Sequence, residues 1–230
     1  FRNECREFAK KWINIHIKEF KRLGVVGDFE NYYSTMSFEA EAQIVRELGK
    51  FLLDGSLYQG FKPVFWSTVE KTALADAEVE YQDHTSNTIF VAFKVKKTNK
   101  DFLKDANIII WTTTPWTIPA NRALAYNSGI EYSVVEIDTL ENFKEKKIVV
   151  ASNLLNSIIE SCEIKKYNVL KKFKGSDFLG TICAHPFLKL GYELDVPMLD
   201  ARFVTLEQGT GIVHCAPSHG PDDFNLCLKH

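Results

Sequence analysis

Two helical periods open the chain. From Glu4 to Leu23 the apolar residues Phe8, Trp12, Ile15, Phe20 and Leu23 recur every three to five positions with Lys and Glu between them, and Gly24 follows as a C-terminal stop. The spacing predicts an amphipathic helix. A turn-rich stretch from Gly27 to Thr35 leads to a second, in which Ser37 is placed to cap the N-terminus. Ala40, Ile44, Leu48, Phe51 and Leu52 then share one face, and Gly55 lies beyond the end.

The period then changes to two, or to short apolar runs rich in Val, Ile, Phe and Tyr. Strands are predicted at Lys62–Ser67, Ala77–Tyr81, Thr88–Val95, Ala106–Thr112, Arg122–Tyr126, Tyr132–Ile137 and Lys147–Val150. A short helix is predicted at Asn153–Ser161. Further strands are predicted at Tyr167–Phe173, near Glu193–Val196, at Phe203–Leu206 and at Gly211–Cys215. A helical first part before many closely spaced short strands gives an α/β (α+β) expectation, with a barrel-like, β-rich second unit and a boundary near Tyr81 to Ser86.

Composition narrows the function classes. The chain has 230 residues, and its 45% hydrophobic content is enough for a full core. With 28 Lys plus Arg against 30 Asp plus Glu, the net charge of -2 argues against an overall electrostatic grip on nucleic acid. Local basic runs remain at Lys94 to Lys100, Lys144 to Lys147 and Lys165 to Lys174, each also readable as a solvated face. Cys5, Cys162, Cys183, Cys215 and Cys227 are scattered and odd in number, which fits a reducing, cytoplasmic setting. Lys, Glu or Gly interrupts every apolar stretch before it reaches a membrane span, so no membrane partner is expected. The missing initiator Met and the helix already under way at Arg2 lead us to expect a piece of a longer protein.

Two stretches carry chemistry. Trp111-Thr-Thr-Thr-Pro-Trp-Thr-Ile-Pro-Ala-Asn121 follows the apolar run Ile108 to Ile110 and puts three hydroxyls before a proline that must end strand pairing. Those groups can hold water or a ligand hydroxyl, or simply finish a strand. Gly209-Thr-Gly-Ile-Val-His-Cys-Ala-Pro-Ser-His-Gly-Pro-Asp-Asp223 brings His214, His219, Asp222 and Asp223 onto a proline-broken loop. The plainer reading is a satisfied core histidine and an Asp cap before Phe224. A zinc site is disfavoured, because the two histidines are five apart on a loop and no third ligand has a recognised spacing. No Ser or Cys stands in a nucleophile elbow, and phosphate-cradling glycine loops are absent.

These two peptides closely resemble the signature peptides of the editing domain of the isoleucyl-tRNA synthetases, which are class I aminoacyl-tRNA synthetases. Arg22 to Asp28, Tyr33 to Met36, Lys62 to Ser67 and Thr72 to Tyr81 resemble the part of the class I catalytic domain from which that domain is inserted. The resemblance covers essentially the whole chain. It implies that residues 1–82 are part of a Rossmann-type catalytic domain and 83–230 an editing domain, incomplete at its C-terminus. Two departures stand out. Ser67 and Glu70 occupy the positions where some members carry a zinc half-site, so no metal is expected there. The His-Ile-Gly-His-type and Lys-Met-Ser-Lys-Ser-type ATP motifs are absent, so ATP and Mg belong to the synthetic site of the parent enzyme and editing needs no cofactor.

The resemblance further implies hydrolysis of valine wrongly esterified to tRNA(Ile), with the parent ligating isoleucine. Its partners are the mischarged tRNA and the amino acid, and a monomer is expected. Thr112, Thr113 and Thr114 position water and the terminal adenosine, and Asp223 meets the substrate's α-ammonium. His214 limits the side-chain pocket, with Trp116, Thr117 and Asn121 shaping its wall. The competing expectation is a module that binds aminoacyl-adenosine or tRNA without activity of its own.

Overall fold

The computed structural model describes residues 1–138 and 143–230 and divides into two compact units, 1–61 and 62–230. In the first, helix α1 spans Arg2–Arg22 and helix α2 spans Phe38–Leu53. Ser37 caps α2 as its sequence predicts: its hydroxyl accepts the Ala40 N–H at 3.2 Å. The side chain of Arg6 bonds the Met36 carbonyl and pairs with Glu41 at 2.9 Å, fixing the helices of this unit to each other.

The second unit opens with a small hairpin, β1 (Trp66–Ser67) against β2 (Thr72–Ala73). Across its turn Ser67 and Glu70 hydrogen-bond each other. The main strands are β3 (Ile89–Lys97), β4 (Asn107–Thr112), β5 (Ala123–Tyr126), β6 (Glu131–Ile137) and β7 (Lys147–Ala151), then β8 (Tyr167–Lys174), β9 (Ile182–Ala184), β10 (Asp195–Asp200) and β11 (Val213–Cys215). Among the described residues these nine form one mixed sheet in the order β11-β5-β10-β9-β3-β4-β7-β6-β8. The β-rich α/β architecture is therefore as expected. The ladder does not close into a barrel, since β11 and β8 are separate edges, although the Ala151 N–H at the end of β7 donates to the Thr210 carbonyl just before β11 at 2.8 Å.

Three predicted strands change. Lys62–Ser67 shortens to the two residues of β1, and Ala77–Tyr81 contains the end of a 3-10 turn, Asp76–Glu78, whose Glu78 carboxylate accepts the Ala75 N–H at 2.8 Å. Phe203–Leu206 alternates as a strand does but pairs with no ladder among the described residues. Val204 and Leu206 pack inward while Phe203 and Thr205 line a cleft, so it is a covering segment. Short β9 is an addition to the predicted set.

Burial explains the site's position. In β4, Ile108 and Ile110 enter the main core with Phe93, Leu103, Tyr132 and Phe178, whereas Ile109 faces helix α3 (Leu155–Ser161) through Leu155 and Ile158. Both faces are covered, hence the unbroken apolar run, and each such side chain contributes roughly 1.5–3 kcal/mol. In β5, Leu124 and Tyr126 join the main core. Ala123 and Ala125 are small enough to receive helix α4 (Pro221–Lys229) through Leu226. β4 thus ends in the threonines, while β11, paired with β5, leads into α4. Among the described residues no helix is long and apolar enough to cross a membrane.

Candidate functional site

β4 ends at Thr112, and Pro115, lacking an N–H, stops the ladder and starts a 3-10 segment, Pro115–Ala120. The corner is tied locally. Thr112 Oγ1 accepts the Thr114 N–H at 3.1 Å and lies 3.2 Å from Thr114 Oγ1, while the Thr117 hydroxyl donates to the Thr114 carbonyl at 2.8 Å. Thr112 and Thr117 are buried, Thr113 is exposed, and Trp116 stands 67% exposed at the rim.

The opposite wall begins in the Gly209-Thr-Gly211 turn. Gly209 (φ +80°) lies against the Trp111 ring, and Gly211 (φ +73°) lies against Ala151 of β7. Tyr132 donates its hydroxyl to the Gly211 carbonyl at 2.8 Å and accepts the Asn127 N–H at 3.1 Å, and its burial raises the phenol to about 12, keeping it a donor. β11 then presents His214. Asp223, in the first turn of α4, reaches back so that its Oδ2 accepts the Ala216 N–H at 2.8 Å. Gly220 occupies the N-cap position with no side-chain cap, so neither Asp222 nor Asp223 is the cap. Both lie where the helix dipole favours a negative charge.

The two walls enclose a cleft of about 470 Å³ lined by Thr112, Thr113, Thr114, Trp116, Thr117, His214 and Asp223, seven of the eight sequence-predicted residues. Asn121 is the exception. It is fully buried behind His214, its amide donating to the Ala123 carbonyl at 2.9 Å and to His214 Nδ1 at 3.4 Å. Because Nδ1 accepts, Nε2 carries the proton and donates to Thr117 Oγ1 at 2.9 Å, whose own proton is given to Thr114. This relay keeps His214 neutral and fixes one residue of each peptide to the other. Phe203, Thr205, Gln208 and His219 also line the cleft. Phe203, Thr205 and Gln208 lie outside both motif peptides, and His219 lies in the second of them without a role predicted from sequence. Among the described residues no group of three or more His, Cys, Asp or Glu is arranged to hold a metal ion.

Burial depresses His214 to about 4, with the nearby His219 and His185 adding to the shift. The unfolded chain binds a proton near 6.5 where the folded one refuses it, so this stabilisation is complete above 6.5 and is lost as pH falls toward 4. It is on the order of 3 kcal/mol. Asp223 has the opposite sign, because burial raises its carboxyl. Wild-type melting curves are expected to fall more steeply than those of His214→Gln between pH 6.5 and 4, and equal slopes would remove His214 from the acid response.

Residues 1–199 match the family model of class I tRNA synthetases (I, L, M and V). The chain is 73% identical over its whole length to the isoleucine–tRNA ligase of Pelagibacter ubique and 50% identical to that of Gluconobacter oxydans. It spans about a quarter (25%) of the length of each. Among solved structures, GlLeuRS-CP1 overlays on 62% of this chain and 57% of its own, with 20% identity and a TM-score of 0.49.

Proposed function

Starting from the premise that this chain belongs to the class I tRNA synthetases, we propose that its cleft is the editing site of an isoleucine–tRNA ligase, hydrolysing valyl esters of tRNA(Ile). The observation that carries this reading is the cleft itself, where a threonine-rich corner and a single anchored carboxylate face each other.

The need for such a site is physical. A synthetic pocket that fits isoleucine gains only about 1–3 kcal/mol from the methylene that valine lacks, and isoleucyl-tRNA synthetases are the standard illustration of that limit. A second site that admits valine and excludes isoleucine by size restores accuracy. In this reading His214 marks the size limit, since the relay from Asn121 to Thr117 stops its ring from turning aside for an extra methyl. Ionised Asp223 receives the α-ammonium on the oxygen not used by Ala216. The hydroxyls of Thr112 to Thr114 orient the attacking water and the terminal ribose. Water adds to the ester carbonyl, the developing oxyanion is stabilised by nearby donors, and the ribose hydroxyl leaves with a proton. Positioning is what these residues supply. Isoleucine activation, ATP and magnesium belong in this proposal to the rest of the parent chain.

The test is deacylation by the full-length protein of valyl-tRNA(Ile) and isoleucyl-tRNA(Ile) side by side. Valyl ester should be hydrolysed at least tenfold faster. Equal rates, or no hydrolysis of either ester beyond the buffer rate, would overturn the assignment. Binding of a valyl-adenosine mimic without hydrolysis would instead support a module that only binds.

A further inference from the structure

The 3-10 segment that forms one side of the cleft is a poor structure to stand alone. It is six residues long, and Pro115 and Pro119 remove two of its N–H donors. Two imidazoles from distant parts of the chain grip it at successive residues. His214 takes the Thr117 hydroxyl from the cleft side. His185, just past β9, lies 3.0 Å through Nε2 from the Ile118 carbonyl. Its Nδ1 accepts the Phe187 N–H at 3.1 Å, which leaves the proton on Nε2 and makes Ile118 the acceptor.

The ring is built in. His185 is 1% exposed, stacked on Tyr192 at 4.8 Å and 14°, with Phe187 and Phe93 at its edges at 5.5 and 6.3 Å. An imidazole buried this deeply costs desolvation that a phenylalanine in the same aromatic nest would not, so its polar edge needs another reason. Burial also lowers its pKa, which keeps the ring neutral and the Nδ1 acceptor available.

We infer that His185 is a positioning residue of this site: its Nε2–H holds the Ile118 carbonyl and so sets where Thr117 and Trp116 stand in the cleft wall. Asn121 N–H donates to the same carbonyl at 3.0 Å, so one oxygen fixes both the end of the segment and the residue that aligns His214. The catalytic consequence rests on the hydrolytic reading above, whereas the positional one does not.

Two variants of the full-length protein separate ring from proton. His185→Phe keeps the aromatic stack and loses the donor, while His185→Gln loses the ring but carries an N–H near the Nε2 position. Amide hydrogen exchange at Thr117 and Asn121 should be at least tenfold faster in the Phe variant and return toward wild type in the Gln variant. Deacylation of valyl-tRNA(Ile) should follow the same order, with kcat down about tenfold in His185→Phe and KM nearly unchanged. Wild-type exchange in His185→Phe overturns the inference, as does a Gln variant no better protected than Phe. If wild-type protein hydrolyses no ester, the proposed function fails, and the exchange comparison still decides the role of His185.

Discussion

Gly211→Ala is expected to destabilise the sheet-bearing unit by about 2–5 kcal/mol, lowering its melting temperature by roughly 5–15 °C. A left-handed backbone costs an L-residue roughly 1–2 kcal/mol, and Gly211 has φ +73°. The space is closed as well. A Cβ there would meet the Ala151 Cβ at 2.4 Å, and overpacking of that kind costs typically 1–3 kcal/mol. Ala151 cannot yield cheaply, because it ends β7 and its N–H is committed to Thr210. The Gly211 carbonyl is held from the other side by Tyr132. Any movement therefore passes into the turn that presents Thr210, Ile212 and His214 to the cleft, and binding should weaken with stability. Gly49→Ala is the control: it has open space around it within α2, and the change should stabilise that helix by about 0.5–1 kcal/mol. Thermal unfolding followed in parallel for both variants checks the pair, and a Gly211→Ala curve within about 2 °C of wild type would refute the packing argument.

What the sequence disclosed divides by range. Local signals are legible: the Ser37 cap, the two opening helices and most strands, because period and end signals are written within a few residues. Alternation misled at Phe203–Leu206, where every second side chain does enter the core, since pattern reports burial and not the presence of a ladder partner. β9 escaped because three residues, Ile182 to Ala184, are too few to show a period. The same division holds for the site. Both peptides could be read because their chemistry is concentrated in single stretches, and the cleft unites seven of the eight residues drawn from them. The family resemblance implies a wall position for Asn121, which stands behind the wall, since nothing local distinguishes a lining amide from one that orients a histidine 93 residues away. Tyr132 and His185 act over still different ranges, on Gly211 and Ile118, and only the folded chain brings them there.

Asp223→Asn should cut kcat/KM for valyl-tRNA(Ile) by on the order of 30- to 1,000-fold, corresponding to about 2–4 kcal/mol for loss of a partly buried charge on an ammonium. The substitution preserves shape. An asparagine oxygen can still accept the Ala216 N–H, and its amide group then turns toward the cleft as a donor, where the ammonium requires an acceptor. Fold and function should separate in this variant. Burial first, and then Asp222, raise the Asp223 carboxyl above the ordinary value of 3.8, while the Ala216 bond and His219 pull the other way. A raised carboxyl gives stability that is present at low pH and lost as pH rises through the folded pKa, so ionised Asp223 weakens the fold near neutrality. Asp223→Asn is therefore expected to melt no lower than wild type at pH 7. The same shift predicts that wild-type hydrolysis declines on acidification at a higher pH than a free aspartate would impose, and that the variant lacks this limb. Acetylating the substrate's amino group supplies the decisive arm: N-acetyl-valyl-tRNA(Ile) should react at one slow rate with both proteins. If the variant slows the acetylated and free substrates by equal factors, Asp223 is not the ammonium's partner. Should it leave both unslowed, the carboxylate has no part in recognition at all.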